Sequence, residues 1–197
     1  MGFDPSPIHC LIFSGVAFVI FAIIYSVKHG NIWQYLFRFA LTAYLIFVFA
    51  KTLCPIYFGN SGMREAFNMD GEWHVSECIH LVPFADGISR DDLLNVVMTI
   101  PFGFILPLIR KRTSFVNALL AGLAFGLGIE LLQLLIAVLQ GFTFNYVDTS
   151  DVICNCLGTI IGWLIIAGII SLVKRGHSDE PETQLFGCIA SREIKKE

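Results

Sequence analysis

The chain has 197 residues, of which 55% are hydrophobic and only 15% charged, against roughly 25% charged in an ordinary soluble domain. Formal net charge is −3, from 13 Lys and Arg against 16 Asp and Glu. Mean hydropathy is +0.71. This composition excludes a disordered chain and argues against a water-soluble globule. A nucleic-acid binder would carry a basic excess, so that partner class is excluded too.

The apolar residues fall in blocks long enough to cross a bilayer. In chain order they are Cys10–Val27, Leu36–Leu53, Leu93–Ile109, Phe115–Leu139 and Val152–Val173. Backbone groups in lipid must be bonded internally, so spans are helices or closed barrels. These runs do not alternate in polarity as barrel strands do. The sequence therefore predicts an all-α, polytopic membrane helix bundle with five transmembrane helices. The third block is the shortest and contains Pro101 and Pro107. No basic residue precedes the first block, so it does not read as a cleavable signal peptide.

Basic residues set the expected orientation. With the N-terminus outside, cytoplasmic segments hold ten Lys and Arg and outer segments hold three. The opposite orientation reverses that count. The expectation is N-terminus outside and C-terminus cytoplasmic, with an acidic 39-residue outer loop, 54–92. Residues 1–173 form one transmembrane domain, and residues 174–197 read as a mobile, solvated tail. Cys54 and Cys78 lie on the same outer loop and could pair in an oxidising exterior. His74, Cys78 and His80 have loose metal-like spacing there but read as an ordinary loop.

Polar groups inside a membrane are costly, so their positions point to function. In the fourth span Ala118, Gly122, Gly126 and Glu130 share one face, with Gln133 a turn beyond. Glu130 is 15 residues from the inner end, about 22 Å along a helix. In the fifth span Asp151, Asn155, Gly158 and Gly162 share a face, and Asp148 lies one turn earlier. In the third, Asn95, Thr99 and Gly103 do. Each stripe puts carboxylates or amides at the outer end and glycines deeper. Small residues let helices approach closely. If the stripes face one another, they line an outward-facing polar cavity on a glycine floor. Helix-to-helix hydrogen bonding is the competing reading for Asn95, Thr99 and Gln133. Helix capping is the competing reading for Asp148 and Asp151. A carboxyl at the depth of Glu130 either holds a proton or needs a cation.

These residues resemble the VanZ-like family of bacterial membrane proteins. The resemblance runs from HLVPF (His80–Phe84) through NVVMTIPFGFILPLI (Asn95–Ile109) and IELLQ (Ile129–Gln133) to DTSDVICNCLGTIIGW (Asp148–Trp163). It implies a small polytopic protein of the bacterial cell membrane. The founding member of that family gives low-level resistance to teicoplanin, a glycopeptide with an acyl tail. The chain departs from the pattern at His80, where Asn is common, at Tyr146, where Arg is common, and at Ser150, where a third acid is common. The expected cationic neighbour of Asp148 is thus missing, and Arg90 is the substitute the sequence offers.

Three roles fit such a cavity. The first is a lower susceptibility to lipid-tailed glycopeptides, through binding of an outer-leaflet lipid, a lipid-linked cell-wall precursor or the lipoglycopeptide itself. In this reading the cavity acids meet an ammonium group or a bridging divalent cation, and hard cations take oxygen ligands. The second is an intramembrane enzyme acting on a lipid or peptidoglycan substrate, with Glu130 as acid or base and Asp148 or Asp151 as partner. The third is a lipid scramblase or cation-coupled transporter. The chain contains no H-E-x-x-H, no G-x-S-x-G and no glycine-rich phosphate loop, so binding ranks first.

Overall fold

In the computed structural model the described residues are 2–3, 15–16, 20, 32–57, 75–85, 87–110, 112–142, 146–176 and 193–194. They hold four long helices: α1 (Ile32–Thr52), α2 (Arg90–Ile109), α3 (Phe115–Gln140) and α4 (Thr149–Gly176). All four are long and apolar enough to cross a membrane. They coincide with the second to fifth expected spans. The first expected span, Cys10–Val27, lies outside the described residues apart from Gly15, Val16 and Ile20, which are helical. Residues 58–74 and 86 of the expected outer loop, His74 among them, and most of the expected tail also lie outside them.

Local chemistry fixes the helix ends. Ser89 caps α2 by accepting from Asp92 N–H at 3.0 Å, while Asp92 Oδ2 accepts from Ser89 N–H at 2.7 Å. This reciprocal capping box starts α2 three residues before the expected Leu93, so Arg90, Asp91 and Asp92 belong to the helix and not to the loop. Ser114 caps α3. Gly141 ends that helix at φ 74°, a left-handed conformation suited to glycine. Charged Lys174 and Arg175 form the last turn of α4, so the expected tail begins as helix.

The helices alternate in direction, and the packing shows how. Val96 of α2 meets Gly158 of α4, and Ile100 meets Gly162, so these two helices run parallel. On α3 the order reverses: Gly126 lies over Val152 and Asn155, and Gly122 over Cys156 and Thr159. Tyr44 of α1 donates to Met98 O of α2 at 2.9 Å. Gln133 of α3 donates to Thr52 O at the end of α1, at 3.0 Å. The N-terminal ends of α2 and α4, the C-terminal end of α1 and the later half of α3 therefore share one end of the bundle.

Glycines set the separation of α2 and α4. A Cβ placed on Gly162 would lie 2.0 Å from Ile100 O, and one on Gly158 would lie 2.1 Å from Val96 O. A Cβ on Gly103 would lie 1.9 Å from Thr159 O. The backbones are in direct contact, which no larger residue allows. Large apolar side chains such as Leu131, Leu139, Leu164 and Leu172 point outward and are exposed. That is the arrangement expected where the surroundings are lipid. At the opposite end of the bundle Leu108, Ile166 and Ile170 pack with Phe37 and Phe104.

Two short strands complete the acidic end. Strand β1 (Ile79–His80) and β2 (Val147–Asp148) pair in parallel, His80 opposite Asp148. Two further two-residue pairs join Gly2–Phe3 to Ile56–Tyr57 and Arg112–Thr113 to Glu193–Ile194. Cys54 and Cys78, which could pair, are not joined to each other by a disulfide.

Gly162→Ala should lower stability by about 1–3 kcal/mol, the usual cost of overpacking. Gly168→Ala, with nothing within 4 Å of the added carbon, should change it by no more than about 1 kcal/mol. Thermal unfolding of the detergent-solubilised protein measures both, and equal effects would contradict the backbone contact.

Candidate functional site

A cavity of about 1360 Å³ opens at the acidic end, between α1, α2 and the loop that follows β1. That exceeds the roughly 300–1,000 Å³ typical of small-molecule pockets. Its polar wall holds Asp91, Asp92, Asn95, Gln133, Asp148 and Asp151. Its apolar wall holds Tyr44, Phe47, Leu94, Val97, Met98 and Pro101. Lys51 and His80 add the cationic and titratable groups at the edge.

The direct approach of α2 to α4 creates the polar wall. It sets the first turns of two parallel helices side by side, which brings Asp92 and Asn95 of α2 next to Asp151 of α4. Asn95 lies beside the Asp151 carboxylate, and both line the cavity. Asp92 is buried, spends Oδ2 on its cap, and has Oδ1 4.0 Å from Cys154 Sγ. Asp148 Oδ1 accepts from Ser150 N–H at 2.7 Å, a tight turn that opens α4. Its Oδ2 lies 3.8 Å from His80 Nδ1. Tyr146 stacks on the His80 ring, with centroids 4.8 Å apart and planes 10° apart. Two of the three positions that depart from the VanZ-like pattern, His80 and Tyr146, are thus neighbours, and His80 takes the place beside Asp148 where the resemblance implies an Arg. Arg90 is exposed and is absent from the cavity wall.

Glu130 does something other than line the cavity. It is 4% exposed, and its Oε2 accepts from Asp148 N–H at 3.0 Å. The carboxylate of α3 thereby anchors the segment that carries Asp148 and starts α4. Thr99 is fully buried and bonds back to Asn95 O and Val96 O within its own helix, against Gly158. Asn155 is 1% exposed, packs beside Gly126, and has no partner for Oδ1 among the described residues. Glu130, Thr99 and Asn155, all expected at the ligand, therefore sit behind the wall. Gly103, Gly122, Gly126, Gly158 and Gly162 all lie at helix contacts.

The loop after β1 closes one side. Phe84 sits at φ 54°, and its N–H donates to Ser150 Oγ at 2.8 Å. Thr149 Oγ1 reaches His80 O and Leu81 O at 3.2 and 3.3 Å. The start of α4 thus ties down both the loop and the anchor from α3. Sequence reasoning missed Asp92, Lys51 and Ser150 as site residues. The Ser89-x-x-Asp92 spacing is a capping-box signature and carried the signal for Asp92. No three His, Cys, Asp or Glu side chains are arranged to hold a metal ion among the described residues.

A family model described as VanZ/LLP1 matches residues 37–172, more than half of the chain. The chain belongs to the VanZ/LLP1 family. Membership and the four apolar helices make it a multi-pass membrane protein. The matched span contains every wall residue of the cavity and the glycine contacts of this VanZ/LLP1 protein. No curated protein and no solved structure is significantly similar to it.

Glu130→Gln keeps an oxygen acceptor for Asp148 N–H and should cost less than about 1 kcal/mol, whereas Glu130→Leu leaves that amide unpaired and should cost about 1–3 kcal/mol. Unfolding curves of the two variants decide this. Equal losses would mean that carboxylate charge, and not its acceptor oxygen, holds the segment.

Proposed function

We propose that this VanZ/LLP1 protein sits in the bacterial cytoplasmic membrane and lowers susceptibility to lipid-tailed glycopeptides such as teicoplanin. In this reading its cavity faces outward and binds an outer-leaflet lipid or a lipid-linked cell-wall precursor. The observation that carries it is a cavity lining of two kinds, carboxylates and amides together with the apolar Phe47, Leu94, Val97 and Met98. A ligand with a polar head and an acyl chain satisfies both sides. A wholly polar solute would leave the apolar wall unfilled. The excess of Lys and Arg in the segments assigned to the cytoplasm supports the outward orientation.

Binding is favoured over catalysis for a specific reason. Glu130, the residue best suited to act as acid or base in an enzymatic reading, is bonded to a backbone amide behind the wall. Occupancy of the cavity would change what an acylated antibiotic meets at the membrane surface, and a glycopeptide without a tail would be affected less.

Expression in a sensitive host should raise the inhibitory concentration of teicoplanin more than that of a glycopeptide lacking a lipid tail. The double variant Asp148→Asn, Asp151→Asn should remove the increment at equal protein level. Unchanged susceptibility, or an increment that survives the double variant, would contradict the proposal.

A further inference from the structure

We infer that the cavity takes a bilayer amphiphile whose headgroup carries an ammonium group. The inference rests on the cavity-binding reading and names the chemistry of its ligand. Asp91, Asp92, Asp148 and Asp151 line the cavity, against Lys51 and His80. His80 already faces Asp148. Among the described residues the other hydrogen bonds to these acids come from neutral donors: the Ser89 and Ser150 amides and the Cys154 thiol. Such bonds hold the carboxylates in place without neutralising them. Gln133 spends its Nε2 on Thr52 O, and its Oε1 is buried with no hydrogen-bond partner among the described residues. The wall therefore offers acceptors and negative charge in excess. A ligand that fits it brings N–H donors and positive charge, and charge-assisted bonds of that kind are about twice as strong as neutral ones. An anionic headgroup would meet repulsion from four acids, against Lys51 and a His80 that already faces Asp148 among the described residues.

The apolar side selects the source. Phe47, Leu94 and Val97 line the cavity and are also 51%, 50% and 61% exposed, so the trough opens sideways between α1 and α2. On two membrane-crossing helices that opening faces acyl chains. At the mouth, Leu81 and Val82 line the cavity and are 77% and 67% exposed. Apolar side chains so placed are stable in the lipid interface and costly in water. The ligand thus enters from the bilayer with its chain along the trough, and a water-soluble amine gains only half of the site.

The test uses the full-length protein in detergent and native mass spectrometry. The probes are dioleoyl phosphatidylethanolamine, its N-acetylated form, dioleoyl phosphatidylglycerol and water-soluble phosphoethanolamine. The ethanolamine lipid should bind about tenfold more tightly than the N-acetylated and glycerol lipids, the effect of about one charge-assisted bond. Phosphoethanolamine should not compete. Asp148→Asn with Asp151→Asn keeps one acceptor oxygen on each side chain but removes the charge, and should bring the three lipids within about twofold of one another. If that double variant does not fold, the exposed Asp91→Asn should narrow the preference on its own. Tighter or equal binding of the glycerol lipid, or a preference unchanged in the Asn variants, overturns the inference. Leu94→Trp, which fills the trough from an exposed position, should weaken all three lipids. Equal lipid binding abolished by Leu94→Trp removes the ammonium requirement and leaves the cavity reading intact. Lipid binding indifferent to Leu94→Trp removes both.

Discussion

The contact between the backbones of α2 and α4 is the constraint on which the acidic end depends. Lipid offers no hydrophobic drive for helix association, so close van der Waals packing must supply it. Gly103, Gly158 and Gly162 allow that packing because a carbonyl of the facing helix occupies the space of a side chain. Two parallel helices held this closely carry their first turns to the same level. Asp92, Asn95 and Asp151 meet there for that reason alone. The polar wall is a geometric consequence of glycines placed about two to three turns deeper.

Polar groups near a bilayer persist when each has a partner. Here the partners form a chain that joins two helices, the paired strands and one loop. Glu130 of α3 holds the amide of Asp148; Asp148 turns the chain into α4; Ser150 and Thr149 of α4 hold the loop that begins at His80. His80 returns to Asp148, supported by the stacked ring of Tyr146. The buried carboxyl group of Glu130 is thus a structural anchor, and the acids left facing the cavity are those at helix starts.

Much of this was legible in the sequence, and the limits have physical causes. Four expected spans coincide with helices, because a block of apolar residues in lipid has no alternative to internal hydrogen bonding. The small-residue stripes correctly marked the faces of α2, α3 and α4 that touch. The spacing rule could not say which polar residues on those faces look into open space. Glu130, Thr99 and Asn155 lie on the expected faces, but there the helices meet and close over them. The helix start at Ser89 was readable from its capping box and was placed three residues late, because Arg90, Asp91 and Asp92 are polar enough to look like loop. The role of His80 was not readable, since it comes from a strand pairing between residues 68 positions apart.

The central claim is that one polar cavity, built by the α2–α4 contact, opens to the exterior. In a cysteine-free background, single cysteines at positions 133 and 151 should react in intact cells with a membrane-impermeant thiol reagent. Cysteines at the buried positions 99 and 155 should not. Reaction at 133 and 151 only after the membrane is opened, or equal reaction at all four, would contradict the account.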